Sequence, residues 1–192
     1  MRMKDLGMFY GISLTNADIN NHRIELTTKK PYLAKTYLNL IQQLTESKKD
    51  VVIYVEDIEY GRVEEELNKI KIIIPKIEEY EYYVFQRPDE HNPRIVVKLY
   101  NSEISQKIIG FLKHLNLLLE NVEFSQGFID AVLDTKAIVL GEEIIVRLDY
   151  LTNHFQKALQ TIKQPYVIDY NSIKIRKQQL TPTNLFQPTQ TV

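Results

Sequence analysis

The chain has 192 residues, 44% hydrophobic and 26% charged, long enough to hide about 70% of its unfolded surface on folding. Its 24 Lys and Arg stand against 25 Asp and Glu, and the net charge of −1 excludes bulk-charge nucleic-acid binding and acidic disorder alike. With no cysteine there is no disulfide frame, thiolate nucleophile or Cys-based metal centre. Residues 1–10 hold Arg2, Lys4 and Asp5 without a long apolar run, and nowhere do about 18 apolar residues follow one another. Neither a leader nor a membrane span is therefore expected, and the expected location is cytoplasmic.

In chain order, the apolar segment from Leu6 to Ile12 is followed by a weakly marked strand near residues 14–19 and a clearer one over 23–28. Residues 32–45 show helical periodicity through Leu33, Tyr37, Leu40, Ile41 and Leu44, with Pro31 suited to a first turn. Residues 51–55 read as a buried strand closed by Glu56 and Asp57, and 62–71 as a short charged helix stopped before Pro75. Residues 80–86 and 94–100 are rich in aromatic and β-branched side chains, and the turn chemistry between them predicts a hairpin. The spacing of Ile104, Ile108, Phe111, Leu112 and Leu115 predicts one helix over 102–119.

After Asn121 the pattern restarts. Residues 125–133 predict a short apolar helix, 136–140 and 143–149 a hairpin around Gly141, 152–163 a helix, and 166–170 and 172–176 two last strands. The expected organisation is α+β, with a first half over 1–120, a shorter second half over 121–177 and a flexible tail over 178–192. That tail carries no charged side chain, and docking to a protein partner is the role it suggests.

The restart is an internal repeat. Gly7 and Gly11 in the first copy sit 120 residues before Gly127 and Ala131 in the second, each pair four residues apart within an apolar stretch. Small residues at that spacing make a flat strip on a helix, and two such strips let helix backbones approach closely. Downstream, the order of strand, strand, helix, strand, strand follows each strip.

This arrangement resembles the LAGLIDADG family, in which paired helices bearing the motif form the interface between two halves and two curved sheets saddle DNA. Residues 127–131, Gly-Phe-Ile-Asp-Ala, fit the motif's central letters, while Gly7-Met-Phe-Tyr-Gly11 keeps only its small residues. Residues 23–28 followed by 31–44 also resemble the amino-terminal part of WhiA-type regulators, which have this fold without nuclease activity. In family nucleases an acidic metal ligand follows the small residue that aligns with Gly11 or Ala131. Here Ile12 and Val132 stand there, and neither can bind Mg²⁺, which takes carboxylate oxygens and water. The resemblance therefore implies two pseudo-symmetric halves that bind DNA without cutting it. Asp18 and Asp134 are the nearest acids that could substitute in a divalent-metal-dependent endonuclease, and Glu56 with Asp57 is the other acid pair weighed for that role.

Strand alternation places Arg23, Glu25 and Thr27 on one face, and likewise Arg94, Val96 and Lys98, then Glu143, Ile145, Arg147 and Asp149, then Ser172, Lys174 and Arg176. Arg23, Arg94, Lys98, Arg147, Lys174 and Arg176 are the candidate contacts to phosphates or guanine edges of duplex DNA. A solvated face of paired charges is the alternative, and it fits an interaction or assembly protein on the same fold. Tyr80, Tyr82 and Tyr83 could stack on bases or simply pack in a strand. The four histidines lack metal spacing, Asp89-Glu90-His91 reads as a polar turn, and no phosphate-binding or nucleophile-elbow motif occurs. No cofactor is implied.

Overall fold

The structure is a computed structural model that describes residues 1–45, 47–89 and 92–180. Among them are seven α-helices: α1 (Met3–Asn16), α2 (Pro31–Gln42), α3 (Val63–Ile73), α4 (Ser102–Leu112), α5 (Leu115–Leu118), α6 (Val122–Lys136) and α7 (Thr152–Thr161). The nine strands are β1 (Ala17–Ile19), β2 (Ile24–Thr28), β3 (Val51–Glu59), β4 (Glu81–Arg87), β5 (Arg94–Leu99), β6 (Ala137–Leu140), β7 (Glu143–Arg147), β8 (Val167–Asp169) and β9 (Ser172–Arg176). The protein is α+β, with one sheet of five strands and one of four, and no described helix is long and apolar enough to cross a membrane.

Two compact units result: Asn16–Gly110, and Met1–Thr15 together with Phe111–Val192. The expected boundary at residue 120 groups α1 with the residues that follow it. In the structure α1 groups with the C-terminal residues, and its small residues pack against α6.

In the first unit the strands lie in the order β1-β2-β5-β3-β4. Strands β4 and β5 are not the hairpin expected from the turn between them: β3 lies between them, antiparallel to β5 and parallel to β4. Burial explains the choice. Ile95, Val96, Val97 and Leu99 of β5 are all buried, as a strand paired on both sides requires, whereas β4 is largely exposed and takes the edge. The β3–β4 connection carries α3, as a parallel crossover needs. Helix α2 starts with Pro31 at its first turn and buries Leu33, Ala34, Tyr37, Leu40 and Ile41 against β2 and β5. Helix α3 buries only Ile70 and is laced by Arg62–Glu66 (3.0 Å), Lys69–Glu65 (2.6 Å) and Lys69–Glu66 (2.8 Å) pairs.

The helix expected over 102–119 is two helices, α4 and α5, with Lys113 and His114 in the turn between them. Gly110 weakens the last turn of α4 and closes the first unit, so the chain leaves the helix where its packing changes. Nothing lies within 4 Å of the position a Cβ would take at Gly110. Gly110→Ala is therefore expected to stabilise by about 0.5–1 kcal/mol, read as a higher denaturant midpoint.

In the second unit the order is β6-β7-β9-β8, all antiparallel. Gly141 turns the β6–β7 hairpin at φ 57°. Ile144, Val146, Ile173 and Ile175 form the buried side of this sheet, and Phe155, Ala158 and Leu159 of α7 are also buried. With β4 set aside, both sheets place their strands in the same sequence order: first, second, fourth, third. Helix α6 is longer than expected because Asn121 caps it, its Oδ1 accepting from the Phe124 N–H at 2.9 Å. The expected tail does not begin free at 178. Lys177–Gln179 form a 3-10 turn, and the buried Gln164 side chain donates to the Gln179 carbonyl at 2.9 Å. Residues 181–192 of that tail, and Glu90 and His91 of the polar turn, lie outside the described residues.

Candidate nucleic-acid interface

The small residues singled out in the sequence meet. A Cβ added at Gly7 would collide with the Phe124 carbonyl oxygen, and one at Gly127 with the Lys4 carbonyl oxygen. Phe124 is Lys4 shifted by 120 positions and Gly127 is Gly7 shifted likewise, so each contact maps onto the other. A Cβ at Gly11 would lie 2.6 Å from Ala131 Cβ, its own counterpart. One helical turn on, the Thr15 hydroxyl donates to the Gly11 carbonyl (2.7 Å) and accepts from the Thr135 hydroxyl (2.9 Å), which lies 2.8 Å from the Ala131 carbonyl. These contacts run from one end of the α1–α6 pair to the other, and they require small residues where the backbones touch.

Between the strips lies an acid whose role the sequence did not suggest. Asp130, 1% exposed, accepts from Gln126 Nε2 (3.0 Å), and Lys4 Nζ sits 3.2 Å from its other oxygen, off the hydrogen-bonding line. Burial pushes its carboxyl above the ordinary range, and Gln126 and Lys4 only partly oppose the shift. A carboxyl raised in the folded state binds more protons there than in the unfolded chain, where it titrates near about 3.9. Its contribution to stability therefore falls as pH rises through that window and is complete only below the unfolded value. Against an Asp130→Asn variant, the parent is expected to gain thermal stability as pH drops from 7 towards 4, measured by paired melting curves.

On the outward face of the first unit's sheet, register sets Asp18, Glu25, Lys98, Val52 and Glu81 in one row across the strands. Arg23 Nε and Lys98 Nζ each lie 3.3 Å from Glu25 Oε2. Arg94 pairs with Glu56 (2.8 Å) and Asp57 (3.1 Å), and Arg87 pairs with Asp57 (3.2 Å). Asp57 stands at a bulge in β3, with φ 63°, so the strand turns both acids towards these arginines. Glu56 and Asp57 are thus each paired with arginine in this structure. Among the described residues no three His, Asp or Glu come together as metal ligands.

Aromatic rings fill the middle of the same face. Tyr54 stacks on Tyr83 (5.6 Å between centroids) and on Phe85 (6.0 Å), with Lys98 Nζ 4.8 Å from the Tyr54 ring. Of the three tyrosines expected to offer stacking surfaces, Tyr83 is exposed here, whereas Tyr80 is buried and Tyr82 half-buried. The meeting of Tyr54 and Phe85 depends on the parallel β3–β4 pairing, which local sequence does not encode.

The second unit's sheet is different. Register puts Glu143 beside Arg176, Ile145 beside Lys174, and Arg147 beside Ser172, so the three candidate cations share one face. Lys174 pairs with Asp169 at 2.6 Å, which raises its pKa. Arg147 and Arg176 are exposed and make no ion pair among the described residues. Ile138, Leu140 and Val167 are exposed beside them.

Ile12 and Val132, which follow the small residues Gly11 and Ala131, are buried, at 1% and 0% exposure. Asp18 and Asp134 lie on different elements: Asp18 is exposed on β1 and Asp134 half-buried near the end of α6. No protein-family model matches this chain, and neither a curated protein nor a solved structure does.

Proposed function

We propose that this protein is a non-catalytic duplex-DNA-binding module built from two LAGLIDADG-like halves. The observation that carries this reading is the α1–α6 pair, whose contacts repeat under the 120-residue shift and put small residues against backbone. The shared strand order of the two sheets supports it. Buried Ile12 and Val132 at the family's metal positions argue for binding rather than cutting.

Charge pairing narrows the contact set. A cation already paired with a carboxylate gains little by exchanging it for a phosphate and leaves that carboxylate behind. Arg23, Arg94, Lys98 and Lys174 are in that position, so Arg147 and Arg176 carry the contact. Fluorescence anisotropy with mixed duplexes tests this. Two phosphate contacts give a slope of log K against log salt of about −2, whereas six give about −5. Absence of salt-sensitive binding at low ionic strength overturns the DNA reading. Mg²⁺-dependent cleavage abolished by Asp134→Ala overturns the non-catalytic part.

A protein-interaction module on the same fold is the second reading. The neutralised first face and its exposed rings favour it, since such a face suits a protein surface better than a polyanion.

A further inference from the structure

Strand β4 is the edge of the first unit's sheet and pairs only with β3; among the described residues no strand occupies its outer side. It has seven residues, against three in β1, four in β6 and three in β8, the other sheet edges. Edge strands are ordinarily protected by shortness, internal Lys or Pro, or a bulge. Glu81-Tyr-Tyr-Val-Phe-Gln-Arg87 has no internal Lys or Pro and is not short, and the bulge in its ladder lies on β3, between the Val84 and Gln86 pairings. Tyr83 and Phe85 are 46% and 51% exposed, a large aromatic surface for an unpaired edge.

The strand is also complementary to itself. Antiparallel pairing of two copies centred on Val84 puts Glu81 opposite Arg87 of the second copy, Tyr82 opposite Gln86, and Tyr83 opposite Phe85. Directly opposed residues share a face, so the Tyr54–Tyr83–Phe85 rings would continue into the second copy's rings. Such a contact is isologous and closes at two chains. Arg87 is half-exposed, and its bond to Asp57 uses one arm of a guanidinium that carries five N–H groups. Parallel pairing would set Glu81 beside Glu81 and Arg87 beside Arg87, which disfavours that register.

We propose that β4 is a homodimerisation edge, joining two copies of this chain into one continuous sheet through the antiparallel Glu81–Arg87 register. This does not depend on the DNA reading, and loss of either leaves the other standing. A contact of one strand pair is smaller than a standard interface, so association is expected over about 5–200 µM in sedimentation velocity of the full chain. Glu81→Lys places Lys opposite Arg87, and Arg87→Glu places Glu opposite Glu81, so each variant alone is expected to dimerise at least tenfold more weakly. Mixed one to one, the two variants regain opposite charges at both ends and are expected to form a heterodimer near the parent's affinity. Tyr83→Lys, which leaves the Arg87–Asp57 pair intact, is expected to weaken the dimer as well. A parent chain monomeric throughout the range, a dimer that neither charge variant weakens, or folded charge variants that stay apart when mixed would each overturn the proposal.

Discussion

Gly127→Ala is expected to destabilise the protein by about 3 kcal/mol or more, although the substitution improves intrinsic helix propensity by about 1 kcal/mol. The added methyl group would occupy the space of the Lys4 carbonyl oxygen, with the Lys4 carbonyl carbon at 2.8 Å and the Met8 nitrogen at 2.9 Å. These are backbone atoms of a facing helix, so no rotamer change relieves the overlap and the two helices must separate. Gly7→Ala meets the Phe124 carbonyl in the same way and is expected to cost a similar amount. Gly11→Ala is milder because the overlap is smaller, with Ala131 Cβ at 2.6 Å and the Phe128 carbonyl oxygen at 2.9 Å. The combined Gly11→Ala and Ala131→Gly exchange is therefore expected to recover part of that loss. Denaturant melts of the four variants check the ordering. A Gly127→Ala protein as stable as its parent would show that α1 and α6 do not pack backbone to backbone.

Reversing Arg147 and Arg176 together to Glu is expected to weaken duplex binding by more than tenfold at low salt and to flatten the salt slope from about −2 towards zero. Both side chains are exposed on strands whose opposite faces are buried, so the change acts on charge rather than on packing. Arg94→Ala is the contrasting variant. It removes a cation that Glu56 and Asp57 already neutralise, so affinity is expected to change less than about twofold, with a stability loss of about 0.5–1 kcal/mol. If Arg94→Ala weakened DNA binding as much as the double reversal, the first face would be a principal contact and the narrowing to two arginines would be wrong. Anisotropy titrations at several salt concentrations measure both.

Local pattern alone determined most of the elements. Pro31 with the Leu33–Tyr37–Leu40–Ile41 stripe marks α2, the run from Val51 marks β3, and Gly141 between two alternating segments marks the β6–β7 hairpin, because each signal spans few residues. The small residues at 7, 11, 127 and 131 were legible as a matched pair of strips because a fixed shift relates them. Pairing between strands was less legible. Turn chemistry over residues 87–93 suggested a hairpin, yet the burial demanded by Ile95, Val96, Val97 and Leu99 placed β5 between β2 and β3 and sent β4 to the edge.

The candidate site shows the same division. The sequence determined which residues alternate outward and that the chain as a whole carries almost no net charge. Only the tertiary structure decided which of those charges are already spent on each other. Glu25, Glu56 and Asp57 meet Arg23, Lys98, Arg94 and Arg87 through strand register and a bulge in β3, and Tyr54 meets Phe85 through a parallel pairing. Ion pairing weakens with distance and is largely screened beyond about 8–10 Å, so the availability of a cation depends on its neighbours in space, which sequence separation does not encode.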